Sequence, residues 1–428
     1  MNTKQKSLFD HITTNLEKQQ RGDEGRVRLF TSGNAGTGKT FTLNLIRDQI
    51  RCCYGRSDAV RVCAFTGAAS NLISGQTLHS AFKIPVKNSL VPLSGACLAQ
   101  MQKLWQHCKV LIIDEISSVS HEMLCIIDSR LKQIFNSSEI FGNINILLFG
   151  DLFQLPPVSG HAVFEIEHLW REFAFCELTE NMRQREDCTF IDILNNLRVG
   201  KLTANQVSIL RSKMTDLDGK FSIGGEAIRI VPTNQQVDDH NAAAVEFHRK
   251  QGVQMVSVRA KDRIMHRRKN TGKHGCLPKT LTLFINAKVM LLYNINTEAG
   301  LTNGAIGIIT DIQLPTVKVK FDRIEVEHTI ALLTLQMWSY RTLIERTMLP
   351  LKLCFASTVH KMQGSTVSYG VLDLGSKNFA PGQSYVALSR VTSLNGVRIE
   401  DLDTSKLSVC NVPALNEMRR LRKTFPQF

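Results

Sequence analysis

The fold is decided by a glycine-rich loop that ends in a Lys-Thr pair, Gly33-Asn34-Ala35-Gly36-Thr37-Gly38-Lys39-Thr40. It follows an apolar stretch of β type, Val27 to Phe30, and opens a helical stretch, Phe41 to Ile50. A strand, such a loop and a helix in this order are typical of a phosphate-binding P-loop. The glycines let backbone N–H groups turn toward a triphosphate, and the helix N-terminus adds partial positive charge. The pattern therefore predicts a nucleoside triphosphate site.

A second segment supplies the acids that such a site needs. Val110 to Glu115 is apolar at every position until it ends in two carboxylates. A strand that is apolar on both faces is typical of a parallel sheet, and ligands bind at its carboxyl end. We expect Lys39 to contact the β- and γ-phosphates. Thr40 and Asp114 are expected to hold Mg²⁺, and Glu115 to activate the attacking water. An acid directly after the aspartate favours hydrolysis over binding alone.

A further strand end carries a polar residue. Ile144 to Phe149 reads as a buried strand, and Gly150 to Pro157 follows it. Within that segment Gln154 offers a neutral amide that can bind the γ-phosphate. Strands that alternate with helices, such as Arg61 to Phe65 and the helix from Ser120 to about Phe135, predict a doubly wound parallel sheet.

Composition limits the class of protein. A chain of 428 residues with 43% hydrophobic residues is long enough for two or three domains with substantial cores. No apolar run approaches the roughly 20 residues that cross a bilayer, and the polar start Met1 to Lys4 predicts neither a signal peptide nor a membrane partner. A formal net charge of +14 predicts a polyanionic partner. Together with a nucleotide site, this charge points to nucleic acid.

The eleven cysteines include no CxxC pair, and several lie in apolar stretches. This pattern is typical of reduced thiols in the cytosol or nucleus. It predicts neither a disulfide framework nor a zinc site.

In their order along the chain, these segments and several others resemble the motifs of Pif1-type helicases, in the RecD-like branch of superfamily 1 (superfamily 1B). The matching segments are Gly33–Thr40, Thr66–Ala69, Asp114–Glu115, Gly150–Pro157, Leu178–Gln184, Thr358–Thr366 and Tyr385–Val391, with Thr77–Ser80, Val289–Asn294 and Gly300–Gly304. Thr77 to Pro85 also resembles helicases of Helitron transposons and large insect DNA viruses. The resemblance implies an α/β fold of two RecA-like P-loop domains in tandem, over residues 1–180 and 181–428. It places a wedge-type insertion at about 83–100 and an SH3-like β-barrel insertion at about 284–345, where short β-type runs occur.

The resemblance also implies roles for single residues. Arg183 and Arg390 would reach the nucleotide from the second domain as catalytic arginines, and Gln5 would read the nucleotide. The implied nucleotide contacts are Gly33, Ala35, Gly36, Thr37, Gly38, Lys39, Thr40, Gln363 and Gly364. The implied contacts with the DNA backbone are Thr66, His79, Thr358 and His360. The longer N-terminal extensions of the family are expected to be missing.

The activity implied is that of an ATP- and Mg²⁺-dependent DNA helicase, moving 5′→3′ on single strands in replication, recombination, repair or transposition. Single-stranded and tailed duplex DNA would be its partners, and it would act as a monomer in a nucleus (the host nucleus if viral) or in the cytoplasm. Two alternatives stay open: a translocase that strips protein without unwinding, and a DNA-binding scaffold with a silent ATPase. The full set of catalytic residues argues against silence.

Three further features of the sequence have more than one interpretation. Phe82 stacks a base or belongs to the core. The basic run from Arg259 to Lys269 lines the DNA path or forms a solvated loop. The basic segment from Arg419 to Lys423 binds phosphate, directs the chain to the nucleus or ends a solvated helix.

Overall fold

The computed structural model describes residues 1–23, 25–85, 92–181, 187–267, 277–296, 299–322, 324–339 and 342–426. The chain forms two compact units. Unit 1 comprises Met1–Ser212, Leu374–Asn395 and Leu402–Phe428, and unit 2 comprises Lys213–Asp373 and Gly396–Asp401. The units group residues by their mutual contacts, so the domain boundary at residues 180 and 181 stays a prediction.

Unit 1 alternates strands and helices. Its strands are β1 (Arg28–Gly33), β2 (Val60–Ala64), β3 (Gln76–Thr77), β4 (Val110–Asp114), β5 (Asn145–Gly150) and β6 (Ala174–Leu178). The helices before residue 212 are α1 (Thr3–Gln20), α2 (Lys39–Tyr54), α3 (Gly67–Leu72), α4 (Leu78–Ala81), α5 (Gly95–Trp105), α6 (His121–Phe135), α7 (Glu167–Trp170), α8 (Cys188–Arg198) and α9 (Ala204–Arg211). Near the C-terminus, unit 1 adds α12 (Gln383–Leu388), α13 (Thr404–Leu407) and α14 (Val412–Thr424).

Within the described residues, the strands of unit 1 form one parallel sheet in the order β3-β2-β4-β5-β1-β6. Successive side chains of a strand point to opposite faces, so Leu111 and Ile113 pack into one hydrophobic cluster while Val110 and Ile112 pack into another. Helices α5, α6, α7 and α14 contribute to the first cluster, and α1, α2 and α3 to the second. This is the doubly wound layering that the sequence predicts.

Local sequence explains how the helices of unit 1 begin. The hydroxyl of Ser120 accepts a hydrogen bond from the backbone N–H of Met123, which makes Ser120 the N-cap of α6 as predicted. Helix α2 instead begins after Gly38, whose φ of 77° is left-handed. Phe82 is fully buried against Trp105, with 4.9 Å between ring centroids, so it belongs to the core.

Unit 2 is richer in strands. They are β7 (Ile228–Val231), β8 (Val256–Arg259), β9 (Lys261–Arg267), β10 (Thr280–Leu283), β11 (Lys288–Leu291), β12 (Ile306–Gln313), β13 (Thr316–Phe321), β14 (His328–Ile330), β15 (Leu333–Ser339), β16 (Thr342–Met348), β17 (Leu351–Leu353), β18 (Ala356–Thr358), β19 (Gly370–Leu374) and β20 (Val397–Leu402). Its helices are α10 (Asn234–Lys250) and α11 (Val359–Met362). In the described ranges the strands form sheets β18-β7-β19-β20, β14-β13-β12-β11-β17, β15-β16-β9 and β10-β8.

The first of these sheets is the second RecA-like layer, in which β18 and β19 pair in parallel with β7. The five-stranded sheet β14-β13-β12-β11-β17 is antiparallel and forms the predicted β insertion. Among the short β-type runs of this insertion, the one from Ile324 to Ile330 is a strand only at His328–Ile330. Part of the predicted wedge, residues 86–91, lies outside the described residues.

The sequence from Lys352 to Phe355 reads as a single strand, but this part of unit 2 forms two strands, β17 and β18, with a break at residues 354 and 355. The side chain of Asn241 replaces the ladder at the break, because its Oδ1 accepts from the N–H groups of Phe355 (3.0 Å) and Ala356 (3.2 Å). Of the two interpretations of the basic run from Arg259 to Lys269, the solvated loop is wrong for the described part, which lies in β8 and β9 and pairs with β10 and β16; residues 268–269 are not described. That the run lines the DNA path stays a prediction.

The basic segment near the C-terminus lies on α14, where Arg422 pairs with Glu177 at 2.7 Å and Arg420 pairs with Glu417. This environment agrees with a solvated helix end. None of the helices in the described ranges is long and apolar enough to cross a membrane.

Candidate nucleotide site

The glycine-rich loop has the backbone conformation that its sequence predicts. Gly36 and Gly38 have φ angles of 87° and 77°, which favour glycine. A Cβ at Gly33 would collide with the Thr37 hydroxyl, so the loop closes tightly on the end of β1. The Lys39 ammonium donates hydrogen bonds to the carbonyl oxygens of Gly33 (2.6 Å) and Asn34 (3.0 Å). The lysine is therefore held at the loop itself.

The charges of three carboxylates affect the pKa of Lys39. Burial lowers the pKa of the Lys39 ammonium, while Asp151, Glu115 and Asp114 oppose the shift. Parallel pairing aligns the strand ends, because Ala64 lies beside Asp114 and Ser32 beside Gly150. The carboxyl edge of the sheet thus brings the predicted lysine and both predicted acids together.

The acidic pair has an unusual backbone. Glu115 adopts φ 52° and ψ 47°, a left-handed conformation that is uncommon for residues other than glycine, and its N–H donates to Asp114 Oδ1 at 2.8 Å. Burial, and then the charge of Glu115, raise the pKa of Asp114 above its ordinary value. A divalent cation would relieve this repulsion, and the Asp114 carboxylate and Thr40 hydroxyl are the hard oxygen ligands that Mg²⁺ prefers.

The segment after β5 packs tightly against this pair. A Cβ on Gly150 would lie 2.9 Å from both Ile116 N and Ile116 Cγ2. Gln154 is 2% exposed, and its N–H donates to the Asp151 carbonyl at 3.0 Å. The predicted glutamine is therefore buried in a turn that begins directly after Gly150, the residue that packs against Ile116.

A buried network of three side chains was missed by the sequence interpretation. Arg198 donates to Asp151 Oδ1 through Nε (3.1 Å) and Nη2 (2.7 Å). The Tyr385 hydroxyl donates to Asp151 Oδ2 at 2.9 Å and accepts from the N–H of Ala35 in the P-loop at 3.2 Å. Burial raises the pKa of the Tyr385 phenol, which keeps it a donor. Asp151 occurs in the segment Gly150 to Pro157 that the sequence singles out, but its partners are distant in sequence.

The predicted arginine Arg390 lies just after the end of α12, in unit 1. Arg390 is 4% exposed and donates to the Val386 carbonyl (3.0 Å) and the Ser389 hydroxyl (2.8 Å). Burial lowers the pKa of its guanidinium, and Glu115 is the first of the groups that oppose this shift. The other predicted arginine, Arg183, lies outside the described residues.

The predicted glutamine at the N-terminus reaches the loop. Gln5 is 1% exposed and its Nε2 donates to the Thr37 carbonyl at 3.1 Å, while its Oε1 accepts from the N–H of Asn2 at 3.0 Å. Asn181 also binds the loop, since its Nδ2 donates to the Ala35 carbonyl at 3.1 Å.

The residues predicted to contact DNA fall into two groups. In unit 1, Thr66 caps α3 just after β2, and the His79 ring lies 5.6 Å from that of Phe65. In unit 2, Thr358 caps α11, which carries His360. Burial lowers the pKa of the His360 imidazole. Of the predicted nucleotide contacts, Gln363 and Gly364 follow in unit 2; Gln363 is buried, and Gly364 has a φ of 82°.

In the parallel sheet of unit 1, the P-loop follows β1 and the acidic pair follows β4, with β5 between these two strands. This arrangement defines a P-loop nucleotide-binding protein of the α/β class. The family model described as PIF1-like helicase matches residues 1–208, and the model described as DNA helicase Pif1, 2B domain, matches residues 269–312. The chain belongs to the Pif1-like helicase family.

Known proteins and solved structures are similar to this chain over most of its length. The ATP-dependent DNA helicase PIF1 of Danio rerio is 32% identical over 96% of this chain and 65% of its own length, and that of Homo sapiens is 29% identical over 92% and 61%. This chain thus spans less than two thirds of these relatives. Bacteroides Pif1 bound to single-stranded DNA has a TM-score of 0.79 at 28% identity, covering 99% of this chain and 97% of that one. Pif1 helicase from Candida albicans has a TM-score of 0.80 at 25% identity, covering 98% and 99%.

Proposed function

We propose that this chain is an ATP-dependent DNA helicase that moves along single-stranded DNA in the 5′→3′ direction. The observation that carries the proposal is the set of charges at the carboxyl edge of the unit 1 sheet. There the charges of Lys39, Asp114 and Glu115 interact electrostatically. Arg390 is also buried there, and its guanidinium interacts electrostatically with the Glu115 carboxylate. A site that only binds nucleotide does not need a buried base and a buried arginine.

Each group has a role in hydrolysis. The P-loop amides and Lys39 bind the phosphates, and Thr40 and Asp114 hold Mg²⁺, which neutralises charge on the β- and γ-phosphates. Glu115 takes a proton from the attacking water, while Gln154 orients the γ-phosphate. Arg390, with Arg183, stabilises the charge that spreads over the transferring phosphoryl oxygens, an effect on the order of 10³-fold or more in rate.

The DNA contacts follow from the same proposal. Thr66, His79, Thr358 and His360 offer hydroxyl and imidazole groups, which bind the sugar–phosphate backbone without reading bases. The net charge of +14 favours such a polyanion. A structure of Bacteroides Pif1 is a complex with both ADP-AlF3 and single-stranded DNA. That structure supports the proposal that one protein of this kind binds nucleotide and DNA together. Gln5, Gln363 and Gly364 complete the nucleotide contacts.

We further propose that the protein acts as a monomer on single-stranded and tailed duplex DNA in a nucleus. One related structure describes unwinding of forked duplex DNA by two coordinating Pif1 helicases. Turnover per chain that does not change with protein concentration would support the monomer, and turnover that rises with concentration would contradict it.

The experiment is a phosphate-release assay with and without single-stranded DNA. The proposal predicts Mg²⁺-dependent hydrolysis that single-stranded DNA stimulates strongly, because DNA favours the catalytically closed state. No hydrolysis under any condition would instead indicate a scaffold with a silent ATPase. Hydrolysis indifferent to DNA would contradict a motor.

A further inference from the structure

Outside the nucleotide site, one group of three side chains in the described residues has the chemistry of a metal site. His121, Cys125 and His168 each place a ligand atom within 4.8 Å of the other two. Their donor set is two imidazole nitrogens and one sulfur. Such soft and borderline donors favour zinc over Mg²⁺, so this cluster is chemically distinct from the hard oxygens of Asp114 and Thr40.

The fold brings these residues together from two places in unit 1. His121 and Cys125 are four residues apart on α6 and therefore lie on one face of the helix. His168 comes from α7, and its ring meets that of His121 edge-on with 5.2 Å between centroids. Because the third ligand lies 43 residues beyond Cys125, the cluster does not form a short motif that could be recognised in the sequence.

The distances suit a single ion with little rearrangement. The Cys125 Sγ and His121 Nε2 atoms are 3.1 Å apart. Two ligands of a tetrahedral zinc at ordinary bond lengths stand about 3.3–3.6 Å apart. The Cys125–His121 pair would therefore open by about half an ångström, and ligand atoms up to 4.8 Å apart would close by at most about 1.5 Å, shared between two side chains. His121 is buried, Cys125 is half-buried and His168 is exposed, which leaves a path for the ion from solvent.

The surroundings of the cluster are fixed. A bridge between Ser120 and Ala162 and the hydrogen bond from His121 N to the His161 carbonyl (2.9 Å) hold the loop after Gly150–Pro157 against the start of α6. On that loop, His161 pairs with Glu122 at 2.7 Å. An ion held by His121, Cys125 and His168 would lock α7 to α6 beside this loop.

We propose that His121, Cys125 and His168 bind one zinc ion, with water as the fourth ligand. Binding replaces the thiol proton of Cys125, which passes to solvent, and both imidazoles bind as neutral rings. The ion has a structural role in unit 1, and the proposal does not depend on the helicase function.

The test is a titration of the full chain with Co²⁺, after treatment with a chelator and a thiol reductant. A thiolate-to-cobalt charge-transfer band, together with intense visible bands of tetrahedral cobalt, should develop at one equivalent and disappear on addition of Zn²⁺. The variants Cys125→Ser and His168→Gln should lose the charge-transfer band or weaken binding at least about tenfold. Cys97→Ser is the matched control, since Cys97 is also a half-buried free cysteine, and it should behave as wild type.

Thermal unfolding provides the second measurement. Added Zn²⁺ should raise the midpoint in wild type and Cys97→Ser but not in the two site variants, since a ligand stabilises only the state that it binds. A wild type without a charge-transfer band, or a band that persists in Cys125→Ser, would overturn the proposal. His168 is exposed, so His168→Gln should remain folded if Cys125→Ser does not.

Discussion

Asp151 is fully buried and has its charge satisfied by partners from distant parts of the chain. Arg198 binds one carboxylate oxygen, and the Tyr385 hydroxyl binds the other while also holding the Ala35 N–H of the P-loop. A buried carboxylate with such partners is stable only while each of them is present. Single hydroxyl groups in this network are therefore expected to matter.

We predict that Tyr385→Phe lowers the midpoint of thermal unfolding by a few degrees, corresponding to about 1–3 kcal/mol, because Asp151 Oδ2 and the Ala35 N–H lose their partner. ATP turnover should also fall, since Ala35 belongs to the phosphate loop. The matched control is Tyr369→Phe, which removes an exposed hydrogen bond with Lys220 at 2.8 Å. Equal midpoints for the two variants would show that the bridge contributes nothing.

We predict that Asp114→Asn stabilises the protein at neutral pH in the absence of Mg²⁺. The folded state raises the pKa of Asp114, so its ionised form costs stability as pH rises above the ordinary value of 3.8. The variant's gain in unfolding midpoint should therefore shrink as pH falls from about 8 toward about 5. The exposed acid variant Asp10→Asn should show no such trend. A gain that grows on acidification contradicts the assignment.

We predict that Glu115→Gln binds ATP with nearly wild-type affinity but hydrolyses it at least about 100-fold more slowly, because only the general base is lost. Nucleotide titration and phosphate release measure the two properties separately. Glu17→Gln on α1 is the exposed control and should hydrolyse ATP normally. Normal hydrolysis by Glu115→Gln would remove that residue from the mechanism.

Residues that belong to a local pattern could be predicted, and residues that act across the fold could not. The P-loop and the acidic pair are visible because each is a contiguous segment with a defined place on a strand. Arg198 and Tyr385 meet Asp151 only after the chain has folded, with no spacing to mark them. The cluster of His121, Cys125 and His168 could not be predicted for the same reason. The cysteine pattern alone therefore predicts no zinc site.

At the scale of elements, the end of β5 depends on a residue without a side chain. We predict that Gly150→Ala lowers both the unfolding midpoint and ATP turnover, since its Cβ would press on the Ile116 backbone directly after the acidic pair. Gly95→Ala at the start of α5 is the matched control, because a Cβ there meets nothing within 4 Å. It should be neutral or slightly stabilising. A Gly150→Ala variant as stable and active as Gly95→Ala would contradict the close packing.

Element boundaries were predictable where the backbone follows local chemistry. Ser120 caps α6 as its sequence indicates, whereas the break between β17 and β18 depends on Asn241, more than 100 residues earlier in the chain. The solvated-loop interpretation of the basic run from Arg259 to Arg267 was wrong because it weighed the charge of the run above its ability to pair as a strand. In the structure, Arg346 on β16 binds Asp262 on β9 through Nε at 2.7 Å and Nη2 at 2.6 Å, which the isolated segment does not reveal.

At the scale of the whole molecule, the proposed helicase hydrolyses ATP at one site and uses residues of both units to contact DNA. Unit 1 contains the described acids, the P-loop and Arg390, and unit 2 contains Thr358, His360 and Gln363. Neither hydrolysis nor DNA binding alone distinguishes a helicase from a translocase or a scaffold. Only strand separation does so.

The most direct measurement is therefore strand separation on duplexes that carry a single-stranded tail at either the 5′ or the 3′ end, in the presence of ATP and Mg²⁺. We predict that wild type unwinds the 5′-tailed duplex and leaves the 3′-tailed one intact. Lys39→Ala should unwind neither, while retaining much of its affinity for single-stranded DNA, because the Lys39 ammonium lies at the P-loop and is proposed to bind phosphate rather than DNA. A wild type that hydrolyses ATP but separates neither duplex, or a Lys39→Ala variant that unwinds normally, would contradict the central claim.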